Sequence, residues 1–341
     1  RWYRVLQDSE GAVKFAVIGG GAWGTALAVA MARSSPVSLY SANSDLVSSI
    51  EIHRENRRYL PGVALPEEIQ VTTSLCSALD GADGVVMAVP TKGLRRTIEE
   101  CESVLKASSA YLITCKGFES RSGSLPFQIL ESIVPKASYA VLSGPSFAKD
   151  VGEKRPTLVS LAAGDRSVSD TFADALFEGG VRTYFNHDVI GVSVGGATKN
   201  VIAIAAGMGS ALGIGASAIA ALVTRGLSEI SRLGVALGAE RETFMGLSGM
   251  GDLSLTCFSD LSRNRRLGHS LGSGCSLFEA EEALGQVAEG VNAANEVKIL
   301  ADRLGVEMPI SVAVSKVLTA EISPDEAARQ LYTRTLRSEV N

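Results

Sequence analysis

The chain has 341 residues, 46% of them apolar and 20% charged, a composition typical of a globular protein long enough for two domains. The net charge of −5 argues against a general nucleic-acid-binding protein. The five cysteines include no C-x-x-C pair and the three histidines lie far apart, so we expect no disulfide framework and no metal site. A reducing cytoplasm fits this pattern best.

The first predicted element is a short apolar strand that runs directly into a glycine-rich turn. Residues 15–18 read Phe-Ala-Val-Ile, and Gly19, Gly21 and Gly24 follow with the spacing G-x-G-x-x-G. An alanine-rich helix is predicted next, over 23–33. This order is the fingerprint of a dinucleotide-binding turn, in which the N–H groups at the helix N-terminus face the pyrophosphate. The pattern predicts a cofactor of the NAD type or FAD.

The acidic residue that usually follows about 20 positions later, to bind the ribose 2′-hydroxyl, has no clear counterpart. The second predicted strand, 37–40, leads into Ser41-Ala-Asn43, and the nearest acid is Asp45 at the edge of the next predicted helix. The choice between NAD and NADP therefore stays open.

The rest of the first half alternates strands and helices, which is typical of a parallel sheet with crossover helices. The predicted strands are 14–18, 37–40, 70–72, 84–89, 110–114, 139–142 and 158–161. The predicted helices are 23–33, 44–51, 92–105 and 124–134. After about residue 188 only helices are predicted, at 190–208, 215–238, 240–246, 250–257, 259–272, 278–284, 289–304, 309–318 and 325–331.

The fold class that follows is α/β, with an N-terminal Rossmann-type dinucleotide-binding domain and an all-α C-terminal domain. We place the first domain at 1–188, with 1–13 as an N-terminal extension, and the second at 189–341. The extension lacks the long apolar core of a secretory signal. The uncharged stretch 201–223 is long enough to cross a bilayer, but its alanines, glycines and serines favour two helices packed inside a protein. We therefore expect no integral membrane segment.

Two lysines and one aspartate could carry chemistry. Lys116 directly follows an apolar strand, where it could bind a phosphate or carboxylate, or be a solvated loop lysine. Lys199 lies among small and apolar residues near the start of the long apolar helix. Burial and nearby cations would lower its pKa from about 10.4 and make it a plausible proton donor, although it could instead snorkel to solvent. Asp252 lies four residues before Thr256 on one helix face, where it could cap the helix or orient Lys199.

Two further segments could bind an anion. The small residues and proline of Ser143-Gly-Pro-Ser-Phe-Ala148 form either an anion-binding turn or a plain tight turn. The run Ser262-Arg-Asn-Arg-Arg266 either clamps a phosphate or is a solvated basic stretch.

Together these segments resemble the bacterial type of NAD(P)-dependent glycerol-3-phosphate dehydrogenase, from about Lys14 to Leu331. The resemblance is carried by Gly19-Gly-Gly-Ala-Trp-Gly-Thr-Ala-Leu-Ala28, Cys115-Lys-Gly117, Leu142-Ser-Gly-Pro-Ser-Phe-Ala148, Gly195-Gly-Ala-Thr-Lys-Asn-Val-Ile-Ala203, Gly251-Asp-Leu-Ser-Leu-Thr-Cys257, Ser262-Arg-Asn-Arg-Arg266 and Gln286-Val-Ala-Glu-Gly290. It implies reversible reduction of dihydroxyacetone phosphate to sn-glycerol 3-phosphate with NADH or NADPH, which feeds glycerophospholipid synthesis.

The resemblance also implies roles for individual residues. Lys199 is similar to the catalytic general acid/base, Asp252 to its partner carboxylate, and Lys116, Asn200 and Thr256 to the other polar groups around it. The implied substrate contacts are Lys116, Gly144, Ser146, Lys199, Asp252, Ser262, Arg263 and Asn264. The implied cofactor contacts are Gly19, Gly21, Ala22, Trp23, Gly24, Lys116, Ala148, Arg263, Val287 and Glu289. Many members of the family carry serine at the position of Ala22 and a basic residue near Ala42, so cofactor preference remains open here.

Two other functions are compatible with parts of the pattern. A related two-domain dehydrogenase could act on a hydroxy acid or ketopantoate, although the basic segment 262–266 favours a phosphorylated substrate. A non-catalytic NAD(H) sensor would not require Lys199 and Asp252 together. For the partners we expect a small-molecule substrate, no nucleic acid, and a homodimer, since twofold dimers are the commonest assembly.

Overall fold

The structure, a computed structural model, describes residues 13–105, 109–285 and 288–334. Apart from Val13, the predicted N-terminal extension lies outside the described residues. Contacts divide the chain into two compact units. The first comprises the described residues up to Cys115 with Phe127–Leu142 and Ser146–Phe185. The second comprises Lys116–Pro126, Ser143–Pro145 and the described residues from Asn186 onward.

The first unit is built on an eight-stranded sheet with the order β3-β2-β1-β4-β5-β6-β7-β8. Its strands are β1 (Phe15–Ile18), β2 (Val37–Tyr40), β3 (Ile69–Thr72), β4 (Gly84–Met87), β5 (Ala110–Ile113), β6 (Ser138–Ser143), β7 (Thr157–Ala163) and β8 (Val181–Asn186). The pairs from β3 to β6 are parallel, and Phe15 of β1 lies opposite Val37 of β2 and Gly84 of β4. The chain changes direction across the sheet between β1 and β4, and ligands of such sheets bind at the carboxyl ends of strands beside that switch point.

Seven helices of the described chain accompany these strands. They are α1 (Ala22–Met31), α2 (Ser44–His53), α3 (Leu75–Leu79), α4 (Thr91–Cys101), α5 (Pro126–Ile133), α6 (Ala148–Gly152) and α7 (Arg166–Phe177). The seven predicted strands and the helices α1, α2, α4 and α5 are confirmed, although α4 ends four residues earlier than predicted. Helices α3, α6 and α7 and strand β8 were not predicted from the sequence. For α7 a signal was present, because the Asp165 carboxylate accepts a hydrogen bond from the N–H of Ser167, as a helix cap does.

In the second unit, from Val189 onward, the described residues form helices connected by turns. The helices are α8 (Val189–Ala211), α9 (Ala216–Ala236), α10 (Asp252–Phe258), α11 (Arg263–Gly272), α12 (Leu277–Leu284), α13 (Glu289–Leu304), α14 (Pro309–Leu318) and α15 (Pro324–Tyr332). A 3₁₀ turn (Arg241–Met245) and a π-helical turn (Leu247–Gly251) precede α10. The predicted fold class, a Rossmann-type α/β domain followed by an all-α domain, is confirmed. The helix predicted over 259–272 begins only at Arg263, because Ser262 caps it.

Helix α8 is the core of the second unit. By length and composition it could cross a membrane, but 89% of its most apolar window is buried inside the protein, as in the core helix of a globular fold. The chain then turns and returns as α9, as the glycine pattern predicted. Helix α11 packs against α8 backbone to backbone: a Cβ added at Gly207 would lie 2.0 Å from the carbonyl oxygen of Arg265, and one at Gly268 would lie 2.0 Å from that of Ile204.

A buried glutamate on α9 accepts hydrogen bonds from the start of α14. Glu229 is 1% exposed, and its carboxylate accepts hydrogen bonds from the N–H groups of Ile310 (2.6 Å) and Ser311 (3.1 Å) and from the Ser311 hydroxyl (3.0 Å). The N-cap residue of α14, Met308, provides no side-chain cap. A carboxylate from another helix therefore satisfies the first N–H groups of α14.

We predict that Glu229→Gln lowers the free energy of unfolding by about 1–3 kcal/mol, because the new NH₂ group cannot accept from these donors. Urea denaturation measures the change. The exposed Glu242→Gln serves as the matched control and should alter stability by less than about 0.5 kcal/mol. Equal stability of the two variants would contradict the capping role.

Candidate active site

A carboxylate shared between two lysines is buried in the second unit. Asp252 is 0% exposed, and its Oδ2 lies 2.8 Å from Lys116 Nζ. Its Oδ1 accepts a hydrogen bond from Lys199 Nζ. Lys199 also donates to Thr256 Oγ1 at 3.0 Å. The structure thus brings together four of the residues singled out in the sequence: Lys116, Lys199, Asp252 and Thr256.

The position of Lys199 differs from the one predicted. It lies near the middle of the 23-residue helix α8 rather than near its start. Asp252 is the first residue of α10, and Gly251 rather than Asp252 occupies the N-cap position. The carboxylate of Asp252 is used to hold the two ammonium groups. Thr256, one turn later, donates to the Asp252 carbonyl oxygen at 2.6 Å and so presents its oxygen to Lys199.

Burial controls the protonation of Lys199. The pKa of this lysine is lowered to about 8, chiefly by loss of solvation and also by the positive charge of Lys116, while the Asp252 carboxylate opposes both effects. The direction agrees with the sequence-based expectation. Two ammonium groups against one carboxylate leave an excess of one positive charge in a buried cluster, which favours an anionic ligand.

Two glycines of α8 allow the chain segments that carry these side chains to approach the helix. A Cβ on Gly195 would lie 2.4 Å from the Ser248 carbonyl oxygen, in the turn that leads to Asp252. A Cβ on Gly196 would lie 2.7 Å from Ser143 Oγ and 3.4 Å from the aliphatic stem of Lys116. Neither glycine was predicted to have a role, although their position one turn before Lys199 was a usable signal.

The turn after β6 belongs to this cluster. Gly144 adopts φ +147°, a region that favours glycine, and its carbonyl oxygen lies 3.5 Å from Lys116 Nζ. The ring of Pro145 lies 3.5 Å from the position of a Cβ on Gly251. Ser143 was not predicted as a site residue, yet its hydroxyl is buried with no hydrogen-bond partner among the described residues. Ser146 is half-buried and belongs to the first unit.

The basic segment before and within α11 is only partly a solvated run. The Ser262 hydroxyl oxygen accepts from the N–H of Arg265 at 3.2 Å, and the Arg265 guanidinium pairs with Asp260. The amide oxygen of Asn264 accepts from the N–H of Gly290 at 2.9 Å. Arg263 is exposed at the first turn of α11. The segment therefore holds α11 in place and presents Arg263 outward.

Two other predicted residues lie in the second unit near Lys199. Asn200 is 5% exposed on α8. Glu289 is exposed at the first position of α13, and its charge acts to raise the pKa of Lys199. Val287, a predicted cofactor contact, lies outside the described residues.

The glycine turn of the first unit has the form that a pyrophosphate requires. Gly19 adopts φ +127°, and a Cβ there would lie 2.6 Å from the Ala88 carbonyl oxygen. A Cβ on Gly24 would lie 1.9 Å from the Gly19 carbonyl oxygen, so only glycine permits this packing of α1 on the turn. A Cβ added at Gly21 would meet open space among the described residues, and no side chain caps the N-terminus of α1. These residues fit a dinucleotide.

Other predicted cofactor contacts surround the same turn. Ala22 and Trp23 open α1, and the buried indole N–H of Trp23 has no partner among the described residues. Ala148 opens α6 and packs partly buried against the core of the first unit. At the end of β2, Asn43 caps α2 by accepting from the N–H of Leu46 at 2.9 Å. Asp45 lies in the first turn of α2, as expected, so the ribose-binding acid is not found at the usual place.

Comparisons with known proteins agree on one family. Models described as the N-terminus and the C-terminus of NAD-dependent glycerol-3-phosphate dehydrogenase match residues 14–169 and 188–329. The chain is 48% identical over 329 residues to glycerol-3-phosphate dehydrogenase [NAD(P)+] of Dechloromonas aromatica, covering 96% of this chain and 100% of that protein. It is 46% identical over 332 residues to the protein so named in Methylibium petroleiphilum, covering 96% and 98%.

Solved structures are also similar. Glycerol-3-phosphate dehydrogenase from Coxiella burnetii superimposes with a TM-score of 0.92 at 36% identity, covering 95% of this chain and 99% of that one. A ketopantoate reductase family protein from Ralstonia eutropha gives 0.59 at 17% identity, covering 93% and 100%, a likeness of fold alone.

We predict that Gly195→Ala lowers the free energy of unfolding by about 1–3 kcal/mol, because the new methyl group must displace backbone. Moving the turn before Asp252 should also lower the pKa of Lys199 below its value of about 8, since the opposing carboxylate would recede. Urea denaturation and NMR titration of ¹³C-methylated lysines measure the two effects.

The matched control for this prediction is Gly93→Ala in α4, where a Cβ would meet open space. It should leave the Lys199 titration unchanged and should not destabilise the protein. If Gly195→Ala behaves like this control, Gly195 does not position Asp252.

Proposed function

The chain belongs to the NAD-dependent glycerol-3-phosphate dehydrogenase family, and from this membership we propose that it catalyses the reversible reduction of dihydroxyacetone phosphate to sn-glycerol 3-phosphate with NADH or NADPH. The observation that carries the proposal is the buried cluster in which Asp252 holds Lys116 and Lys199. A cationic, desolvated proton donor is what reduction of a phosphorylated ketone requires.

Lys199 is proposed as the general acid/base. When bound, the reduced nicotinamide supplies a hydride to the carbonyl carbon. Negative charge then develops on the carbonyl oxygen, where the Lys199 ammonium stabilises it and donates a proton. Asp252 and Thr256 accept hydrogen bonds from Lys199 Nζ and so fix the direction of its remaining proton. In the reverse direction the neutral amine accepts the proton of the alcohol.

Lys116 and the segment Ser262–Asn264 are proposed to bind the substrate phosphate. The excess positive charge of the buried cluster supports this role for Lys116. Ser262 carries a hydroxyl and Arg263, exposed at the first turn of α11, carries a guanidinium, and both are groups that bind phosphate oxygens. Gly144 and Ser146 would complete the contacts through the turn after β6, and Asn200 would be a polar neighbour of Lys199.

The glycine turn is proposed to hold NAD or NADP. Gly19, Gly21 and Gly24 permit close approach of the pyrophosphate, and the N–H groups of Ala22 and Trp23 would bind it. The further proposed contacts to the cofactor are Ala148, Glu289, Lys116, Arg263 and Val287. Neither an acid nor a basic residue occupies positions 41–44, so the sequence there selects neither cofactor.

Four broader features belong to the same proposal. We infer a domain boundary at 188/189, which the start of the C-terminal family match at residue 188 supports. Segments 116–126 and 143–145 pack with the helical unit although they precede that boundary. We further propose that the enzyme is a homodimer, that it acts in the cytoplasm, and that its product feeds glycerophospholipid synthesis.

We predict that the purified protein oxidises NADH or NADPH, followed by absorbance at the reduced-nicotinamide band, with dihydroxyacetone phosphate but not with dihydroxyacetone or ketopantoate. Cofactor binding without turnover of any ketone would instead favour a sensor.

We further predict that Lys199→Met lowers kcat by about a hundredfold or more, while cofactor binding, followed by fluorescence, is retained. The matched control is Lys298→Met, which replaces a lysine on α13 and should keep wild-type turnover. Normal turnover of Lys199→Met would contradict the role of Lys199 as general acid/base.

The pKa of Lys199 at about 8 predicts opposite pH profiles for the two directions. For ketone reduction the lysine must be protonated, so kcat/KM should fall as the pH rises through about 8. For alcohol oxidation the amine must be neutral, so kcat/KM should rise through the same pH. Lys116→Gln removes a charge that lowers the pKa of Lys199 and should move both inflections to higher pH; Lys298→Gln should move neither. If the inflections of Lys116→Gln lie at the same pH as those of the wild type, this assignment is contradicted.

A further inference from the structure

The segment 54–65, between α2 and β3, is fixed firmly to the rest of the first unit. Glu55 forms an antiparallel bridge with Ala64, so the two ends of the segment pair with each other. Leu60 and Leu65 are 3% and 4% exposed and belong to the core of the unit. Backbone pairing and apolar burial together give the side chains near the start of this segment defined positions.

One of these side chains, Asn56, reaches the glycine turn. It is 0% exposed. Its Nδ2 donates to the carbonyl oxygen of Gly20 at 3.0 Å and to Thr25 Oγ1 at 2.8 Å, and its Oδ1 accepts from the N–H of Tyr59 at 3.1 Å. A backbone carbonyl must meet the NH₂ group and a backbone N–H must meet the oxygen, so these partners fix the orientation of the amide. Asn56 therefore joins its own segment to the turn and to the beginning of α1.

The hydrogen bond to Gly20 sets the direction of the next backbone N–H. The Gly20–Gly21 peptide bond is trans, and a planar trans unit points its carbonyl and its N–H in opposite directions. Because the carbonyl is directed inward at the buried Asn56, the N–H of Gly21 is directed away from the interior. It belongs to a residue at which an added Cβ would meet open space. A pyrophosphate approaches a dinucleotide-binding turn from this open side.

The turn needs such a restraint because Gly19, Gly20 and Gly21 are consecutive. Glycine has the widest choice of backbone conformations and loses the most conformational entropy when it is ordered. None of the three has a side chain that could hold the peptide units in place. An external donor to the Gly20 carbonyl supplies the missing restraint.

We propose that Asn56 is a positioning residue for the cofactor, which holds the Gly20 carbonyl so that the N–H groups at the start of α1 are already arranged for the pyrophosphate. The inference rests on the proposed binding of NAD or NADP at the glycine turn. Asn56 acts through the backbone, since its side chain is fully buried. Donors that are fixed beforehand require no ordering when the anion binds, and this preorganisation increases affinity.

The test compares Asn56→Ala and Asn56→Asp with the wild type. The reduced cofactor, NADH or NADPH, whichever the wild type binds more tightly, is titrated by fluorescence. Asn56→Ala removes all three hydrogen bonds, whereas Asn56→Asp keeps the shape and the acceptor for Tyr59 but replaces the NH₂ donor. Loss of one hydrogen bond to a charged group weakens binding about tenfold or more, so we expect both variants to raise the Kd and the KM of the cofactor at least about tenfold. The kcat at saturating cofactor and the KM for dihydroxyacetone phosphate should keep their wild-type values, because the groups around Lys199 are unaltered.

The matched control is Ser109→Ala. The buried Ser109 hydroxyl also donates to a backbone carbonyl, that of Ala82, at 3.3 Å. Ser109 directly precedes β5, and the glycine turn follows β1, so in this parallel part of the sheet the two lie at opposite edges. The control should leave the Kd of the cofactor unchanged. Thermal unfolding checks that all three variants fold, and Asn56→Asp decides the question if Asn56→Ala does not.

Three results would overturn the proposal. The first is a cofactor Kd that neither Asn56 variant raises. The second is weakening in Asn56→Asp with normal binding in Asn56→Ala, because the introduced charge would then explain the effect. The third is an equal rise in Ser109→Ala, which would assign the effect to general destabilisation. Each of these leaves ketone reduction by the wild type intact, whereas a wild type that binds neither NADH nor NADPH would overturn the proposed function together with this inference.

Discussion

A carboxylate buried between two lysines is the constraint on which the second unit depends. Transfer of charged groups out of water costs several kcal/mol each, so Asp252, at 0% exposure, is tolerable only with its cations in place. Those cations come from distant parts of the chain, since Lys116 precedes Asp252 by 136 positions and Lys199 by 53. The helix, the loop after β5 and the turn before α10 must therefore converge for the unit to be stable. The same convergence creates the proposed proton donor.

Close convergence explains the unusual composition of α8. Where the backbone of another segment packs directly against a helix, the helix cannot carry large side chains. The absence of a side chain at Gly195 leaves space for the turn before Asp252. Gly196 likewise leaves space for Ser143 and the stem of Lys116, and Gly207 for α11. The resulting run of glycine, alanine and valine resembles a membrane span in hydropathy. Its composition is instead the consequence of packing on all sides, which also desolvates Lys199.

Local patterns were sufficient to predict most of the fold, because buried parallel strands and helix periodicity are properties of short segments. Strand β8 was not predicted, because Arg182, Tyr184 and Phe185 on this strand are exposed and the segment forms no apolar run. At the candidate site, the sequence singled out four polar residues that the structure brings together, but not how they pair. Whether Lys116 is solvated or bound to Asp252 depends on a contact across 136 positions, which no local pattern encodes.

If Lys199 acts as proposed, the balance of charges around it also determines in which directions the reaction can run. Burial alone would favour the neutral amine, which could accept a proton from an alcohol but could not stabilise a developing oxyanion. Full pairing with Asp252 alone would favour the ammonium, which would release its proton poorly near neutral pH. Sharing that carboxylate with Lys116 weakens the pairing, and the pKa of Lys199 settles at about 8. Because general acids and bases work best when their pKa lies near the operating pH, a shared carboxylate suits a reversible reduction better than an exclusive ion pair would.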